Sequence, residues 1–232
     1  MAKKSDDSIP YTSGIKRSFY TRCVKDVMDR LAAGICLVVF SPILLLLWLL
    51  VMLADGRPAL FSQERLGKGG RTFRMYKFRT MKVGSDSSFV LNPDGSLRTS
   101  EDDPRITRLG RVLRRYSLDE LPQLINVLKG DMSLVGPRPD LPFHAQLYTQ
   151  EERRKLDLKP GITGLAQVCG RNNLPWKERL RLDIEYVNRV SLWLDLSIVA
   201  RTLVKVVASE GIYAEPAKSI KALEGGSRNV SG

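Results

Sequence analysis

The chain has 232 residues, a formal net charge of +12 at pH 7 and a pI of ≈ 9.8. That length suits one domain of ordinary size plus a membrane element. The charge points to phosphorylated small molecules or acidic lipid headgroups ahead of nucleic acid, for which there is no recognition-helix or RNA-binding signature. Cys23, Cys36 and Cys169 are odd in number and lack metal spacing, which excludes a disulfide framework and fits reduced thiols, and the lone histidine, His144, excludes a site with several His ligands.

Residues 1–14 read as a loose, polar terminus. From Ile15 to Arg30, apolar side chains alternate with basic ones at roughly helical spacing. This stretch either lies in the headgroup layer or forms the cytosolic start of a membrane helix. Leu31 to Ala54 carries no charge. At about two dozen residues it is long enough to cross a hydrocarbon layer of ~30 Å as one straight helix. Ser41-Pro42 sits in its middle. Proline cannot donate to the carbonyl four residues back and pushes Ser41 out of the helical basin, so the run should bend or break there. The Ser41 hydroxyl can take the carbonyl that Pro42 frees, which matters where water is absent.

Both flanks of this run are basic, with Lys16, Arg17, Arg22, Lys25 and Arg30 before it and Arg57, Arg65, Lys68, Arg71 and Arg74 after it. Positive charge marks the cytoplasmic side. A re-entrant hairpin that leaves by the face it entered satisfies both flanks. An ordinary spanning helix with a proline kink is the other reading, and the residues alone leave the two level. The run lies too far from the start and is too long for a signal peptide.

Asp55-Gly56-Arg57-Pro58 reads as a turn. Ala59–Glu64 and Arg71–Met81 read as short strands around the Gly-rich turn Leu66–Gly70, with Lys77 and Arg79 on one face. Such a pair is either a solvated basic face or a phosphate clamp. Ser85 to Ser100 holds the turn signal Asn92-Pro93-Asp94-Gly95. Asp103-Pro104 is expected to start a basic helix, with Asp103 as its cap. Ser117-Leu118-Asp119-Glu120 matches a capping box, and the following apolar stripe ends at Gly130. Asp131–Pro142, with its three prolines, is expected to be a stiff loop carrying Arg138. Thr149–Leu158 reads as a helix and Ile162–Asn173 as a short strand or loop. Trp176–Val190 and Ser191–Ser209 read as amphipathic helices, the second apolar along Leu192, Leu196, Val199, Leu203 and Val206. Trp193 either anchors at a membrane interface or packs on the domain. Residues 210–232 read as a disordered tail.

Several kinds of chemistry are missing. There is no GxxxxGK[ST] loop and no GxGxxG, and His144 reads as a packed or surface residue. What remains is Asp119-Glu120, two carboxylates at an expected helix start where the dipole favours their ionised form and the same N–H groups can receive phosphate. Read locally, they are an ordinary acidic first turn. Lys77, Arg79, Arg114 and Arg138 lie on short structured segments nearby in the chain. A carboxylate pair among cations suits phosphoryl transfer, one carboxylate attacking phosphorus and its neighbour helping to hold Mg²⁺.

At these residues the sequence resembles a known family. SLDELPQLINVLKGDMSLVGPRP, with KFRTM upstream and KPGITGLAQVCGRN downstream, looks like the bacterial sugar transferases, the monotopic polyprenyl-phosphate phosphoglycosyl transferases. The resemblance runs from about Phe19 to Val207. It implies transfer of a sugar-1-phosphate from a UDP-sugar to undecaprenyl phosphate, with release of UMP. It implies a re-entrant helix broken at Ser41-Pro42, on the cytoplasmic face of the bacterial inner membrane. It implies that Asp119 is a nucleophile forming a covalent phosphosugar intermediate and that Glu120 binds Mg²⁺. Lys77, Arg79, Arg114 and Arg138 are implied to surround phosphate, Arg171 to hold the nucleotide, and Asp195, where the spacing is looser, to match a family acidic position. Cys169 departs from the pattern, since many relatives carry a polar residue there.

The expected architecture is therefore α+β: a helix-rich catalytic domain over residues 59–209 with a small β-hairpin, amphipathic interfacial helices and a Ser-Pro-broken re-entrant helix over residues 15–58. Expected partners are a UDP-sugar, undecaprenyl phosphate and anionic inner-membrane lipids, with Mg²⁺ as cofactor and no nucleic acid. A homodimer stays open, as do the identity of the sugar and the final glycan. Two rivals remain: a one-step transferase with no protein intermediate, and a non-catalytic basic membrane module.

Overall fold

The computed structural model describes residues 18–85, 103–170 and 173–208. The expected loose terminus, most of the loop around Asn92-Pro93-Asp94-Gly95, Arg171 and the C-terminal tail lie outside the described residues.

The apolar run folds as two helices, α1 (Lys25–Val39) and α2 (Ser41–Asp55), bent by 65°. A one-turn π-helix, Tyr20–Val24, leads into α1. At ~1.5 Å per residue each helix is roughly 22 Å long, too short to cross a bilayer alone. Among the described residues no single helix is long and apolar enough to cross a membrane, whereas this bent pair passes the test together. The break falls one residue ahead of the expected place. Phe40 leaves the helical basin, with φ −89° and ψ 2°, while Ser41 stays inside α2. The Ser41 Oγ donates to the Val38 carbonyl at 2.8 Å, the carbonyl that Pro42 leaves without its N–H partner. Most of α2 faces outward, with Ile43, Leu45, Leu46, Leu49, Leu50 and Leu53 exposed, and only Leu47 and Val51 are buried.

Strands β1 (Leu60–Leu66) and β2 (Thr72–Phe78) form the expected antiparallel hairpin, in register from Leu60 opposite Phe78 to Leu66 opposite Thr72. A second pair was not foreseen. Strand β3 (Ser133–Val135) lies in the proline-rich segment read as loop, and pairs in parallel with β4 (Gly161–Thr163). The prolines begin just after β3, so they spare the strand. At Gly161 a Cβ would come within 2.1 Å of the Gly136 nitrogen, so a side chain there would block the close approach of the two segments.

Two further expectations are corrected. The basic helix α3 (Arg108–Arg115) starts at a Thr107 cap, whose hydroxyl accepts from Gly110 N at 2.8 Å, and not at Asp103. Asp103 instead pairs with Arg105, and Ile106 makes an isolated bridge to Met81. The stretch Thr149–Leu158 contains only a 3-10 helix, Glu152–Asp157. After α4 (Gln123–Lys129), Gly130 closes the helix in a left-handed conformation as expected.

The rest of the domain comprises α5 (Leu165–Cys169), α6 (Trp176–Arg189) and α7 (Leu192–Ala208). Helix α7 turns the other way from the expected stripe. Its buried side is Asp195 and Ile198 with half-buried Leu194 and Thr202, while Trp193 (80 % exposed), Leu196, Val199, Leu203 and Val204 face outward. The reading of Trp193 as packed on the domain is therefore overturned. His144 is buried, its Nδ1 accepting from Leu141 N and its ring 5.0 Å from that of Trp176, as a packed histidine should be.

Two apolar clusters bind the bent pair to the domain. Ala33 packs with Met75, Leu124, Val127 and Met132. Leu47 and Val51 pack with Ala59, Phe78 and Leu113, and Leu118 and Leu121 cover that cluster. The second cluster sits directly under Asp119 and Glu120.

Candidate functional site

The dyad lies on a 3-10 turn, Leu118–Glu120, between α3 and α4. The expected capping box is absent. Ser117 has φ 54°, the only non-glycine residue in the left-handed region among those described, and its side chain makes no cap. An L-residue there is uncommon and strained. The kink is enforced on both sides: Ser117 N donates to the Arg114 carbonyl at 2.9 Å, and Glu120 N to the Ser117 carbonyl at 3.2 Å. With Leu118 and Leu121 turned into the apolar cluster, the two acids between them are aimed together at β2.

Lys77, from the end of β2, meets them. Its Nζ donates to Glu120 Oε1 at 2.6 Å and lies 4.0 Å from Asp119 Oδ2. Arg138 reaches Glu120 Oε1 at 3.5 Å from the proline-rich segment. The Arg114 Nε is held by Thr80 Oγ1 at 2.9 Å, and its charge acts on Asp119. Asp119 is 8 % exposed. Burial pushes its carboxyl up to about 6, the Glu120 charge adds to this, and Lys77, Arg114 and Arg138 pull against it. Two carboxylates thus share one site with three cations.

A buried ion network fixes the Arg138 segment. Lys155, 4 % exposed, lies 2.6 Å from Asp140 and 2.9 Å from Asp183. The Tyr148 hydroxyl also donates to Asp140, and Asp183 accepts from Arg138 N at 3.4 Å. Burial works to raise Asp140, but Lys155 and Tyr148 outweigh it and hold that carboxyl down at about 2.

The other expected site residues lie elsewhere. Arg79 is buried and donates to the Asp55 and Gly56 carbonyls. Asp195 is buried in a separate cluster, accepting from Tyr20, Lys25 and Tyr186 at 2.6, 2.5 and 2.7 Å. That cluster ties α7 to the start of α1. Arg171 lies outside the described residues, and Cys169 is exposed.

Arg65, outside the expected site set, lies near enough to Arg138 and Glu120 to feel their charges. It shares a face of the β-hairpin with Lys77, since Phe61 is opposite Lys77 and strand residues alternate. Its Nη2 donates to Gln63 Oε1 at 2.5 Å, and burial first and the Arg138 charge second push its guanidinium down to about 10. The sequence signal for it is the strand alternation that puts Phe61, Gln63 and Arg65 on the Lys77 face.

As to metal, no group of three or more ligating side chains is gathered among the described residues. The hard oxygen donors of Asp119 and Glu120 nevertheless fit Mg²⁺, which is commonly held by one or two carboxylates together with substrate phosphates.

The turn thus presents two acids to a cluster of cations and packs on the bent apolar helix pair. The chain belongs to the Bacterial sugar transferase family, whose profile covers residues 20–209. It is 46% identical over 189 residues to "Uncharacterized sugar transferase EpsL" of Bacillus subtilis, covering 82% of this chain and 90% of that protein. It is 43% identical over 197 residues to the "UDP-glucose:undecaprenyl-phosphate glucose-1-phosphate transferase" of Caulobacter vibrioides, covering 82% of this chain and 72% of the relative. It is 41% identical over 207 residues to the "Undecaprenyl-phosphate galactose phosphotransferase" of Salmonella typhimurium, but there the match spans 85% of this chain and only 43% of the relative.

Proposed function

We propose that this enzyme transfers a sugar-1-phosphate from a UDP-sugar to undecaprenyl phosphate, giving the undecaprenyl diphosphosugar and UMP, with Asp119 as the nucleophile. The observation that carries the reading is the Asp119–Glu120 pair, buried among Lys77, Arg114 and Arg138. The names of the Caulobacter and Salmonella relatives support the substrate classes.

In the first step an Asp119 carboxylate oxygen attacks the phosphorus that bears the sugar. The bond from that phosphorus to the oxygen bridging to UMP breaks, and UMP leaves with the electron pair. In the second step a phosphate oxygen of the lipid acceptor attacks the same phosphorus and displaces the Asp119 carboxylate. Lys77, Arg114 and Arg138 offset charge on the phosphoryl oxygens in both steps. Glu120, with Asp119 beside it, would hold Mg²⁺, which supplies further charge neutralisation on the diphosphate. The covalent route lets two anionic substrates visit one small site in turn.

The site belongs at the cytoplasmic face of the bacterial inner membrane, where a soluble donor meets a lipid carrier. The bent pair enters and leaves that face as a re-entrant hairpin, which accounts for basic residues on both of its flanks. The exposed apolar side of α7 spans an arc of roughly 140° at 100° per residue, wide enough to lie in the interface. Anionic lipids then meet the basic surface.

The test is to incubate the purified protein with undecaprenyl phosphate, Mg²⁺ and a panel of UDP-sugars, and to measure UMP. UMP release with at least one sugar, together with label on Asp119 from a β-³²P donor when acceptor is withheld, is expected. Turnover without any protein-bound label would replace the two-step route by direct transfer. No UMP with any sugar would refute the reading.

A further inference from the structure

The cation Arg79 faces the membrane hairpin, not the dyad. It is 5 % exposed. Its Nη2 donates to the carbonyls of Asp55 and Gly56, at 2.7 and 2.6 Å. These are the last residue of α2 and its C-cap. A cation is well placed there, because the carbonyls at a helix C-terminus lack intrahelical partners and carry the negative end of the dipole. The Arg79 backbone extends the same hold, since its N–H donates to the Ala59 carbonyl at 2.8 Å. One residue therefore grips both ends of the turn, residues 55–59, that joins the hairpin to the sheet.

The neighbours of Arg79 fix the other side. Two residues back, Lys77 holds Glu120 at 2.6 Å. Phe78 is buried against Leu47, Val51 and Leu113. Thr80 accepts from Arg114 through its hydroxyl and from Thr107 N through its carbonyl. Thr107 Oγ1 in turn donates to Asp55 Oδ2 at 2.8 Å, a second tie at the same helix end. The Arg79 Nε and Nη1 are buried without a hydrogen-bond partner among the described residues. A charge buried with incomplete satisfaction costs stability, so local stability alone is a poor account of its presence.

We propose that Arg79 is a positioning residue which sets the height of the Asp119–Glu120 dyad above the end of the membrane hairpin, and so serves the bilayer-embedded acceptor and not the soluble donor. This rests on the transferase reading given above. An embedded acceptor offers its phosphate at a fixed depth, so a change in that height costs it near-attack geometry. A short, water-soluble prenyl phosphate arrives from solution and is indifferent to depth.

The experiment compares the whole protein in nanodiscs with two acceptors, undecaprenyl phosphate and a ten-carbon prenyl phosphate, at varied UDP-sugar. The ratio of kcat/KM for the embedded to the soluble acceptor is expected to fall about tenfold in Arg79→Met, the scale of one charge-assisted hydrogen bond. The donor KM is expected to stay within about twofold, a margin well below one such bond. Arg79→Lys keeps the charge and is expected to fall between wild type and Arg79→Met. Asp55→Ala, which cuts the neighbouring tie, should shift the same ratio in the same direction and serves if Arg79→Met does not fold. An equal loss with both acceptors, or a rise in donor KM, would overturn the proposal, the latter by making Arg79 a phosphate ligand. Absence of wild-type turnover with either acceptor would instead sink the transferase reading itself.

Discussion

Replacing Asp119 with Asn should remove activity and, at neutral pH, make the protein more stable. The magnitude follows from the carboxyl's displacement. Its value rises from the ordinary 3.8 to about 6, chiefly through burial. A folded value above the unfolded one means that the native state holds the proton more tightly. The stability due to this group is therefore fully present below pH 3.8 and lost as pH rises through about 6. At roughly 1.4 kcal/mol per unit, the ionised form costs about 3 kcal/mol above that range. Asparagine keeps the shape of the neutral acid and avoids the cost. For a chain of this size, about 3 kcal/mol corresponds to a Tm higher by roughly 6–12 °C. The assay is thermal unfolding of both proteins in the same detergent between pH 4 and pH 8, beside UMP release at each pH. The two Tm curves should meet near pH 4 and separate as pH rises, while the wild-type rate falls on the acid side of about pH 6. A variant less stable than wild type at pH 8, or a gap independent of pH, would refute the burial argument. Turnover in the variant would refute the nucleophile.

Ser117→Gly should leave stability unchanged or slightly raised, because glycine takes the φ of 54° without strain, whereas Ser117→Val should lower it by about 1–2 kcal/mol in denaturant melts and slow turnover by misplacing the dyad. Gly110→Ala should be severe, by more than about 3 kcal/mol, since its Cβ would fall 2.2 Å from the Thr80 carbonyl oxygen; a melt within about 1 kcal/mol of wild type would count against the packing of α3 on that segment. Leu203→Glu combined with Val204→Glu should weaken sedimentation with anionic liposomes without changing Tm, because both side chains point outward; unchanged sedimentation would remove α7 from the membrane contact.

The sequence was most legible where local chemistry decides local structure. The hairpin of β1 and β2, the break near Pro42 and the end of α4 at Gly130 all follow from alternation, a missing N–H and a glycine that tolerates positive φ. It was least legible where tertiary contacts overrule a local motif. Ser117 and Glu120 spell a capping box, yet Leu118 and Leu121 gain more by entering the apolar cluster, and Ser117 is left in the left-handed region. The stripe read along α7 failed for a related reason. Periodicity finds an apolar face but cannot say what covers it, and Asp195 with its three donors turns the opposite face inward. The dyad and Lys77 could be named from residue types in the chain. That Arg79, two positions from Lys77, faces the hairpin depends on a turn whose geometry no spacing reveals.

The bent helix pair should not be separable from the rest of the domain. Leu47 and Val51 are buried against Phe78 and Leu113, and Ala33 against Val127 and Met132. Burying side chains of this kind contributes about 1.5–3 kcal/mol each for the larger ones, so their loss together amounts to roughly 5 kcal/mol. Removing Tyr20 and Lys25 also leaves the buried Asp195 with only Tyr186 among the side-chain donors named above. Water then reaches that carboxylate, so the packing loss decides. A loss of roughly 5 kcal/mol reaches the lower end of the whole stability of an ordinary domain. Residues 59–208 expressed alone should therefore show no cooperative unfolding transition and no UMP release, even though the dyad and all its cations are present. A soluble fragment that melts cooperatively would mean that the hairpin is only an anchor. Failure to fold would mean that the bent pair is also part of the core under the Asp119–Glu120 turn.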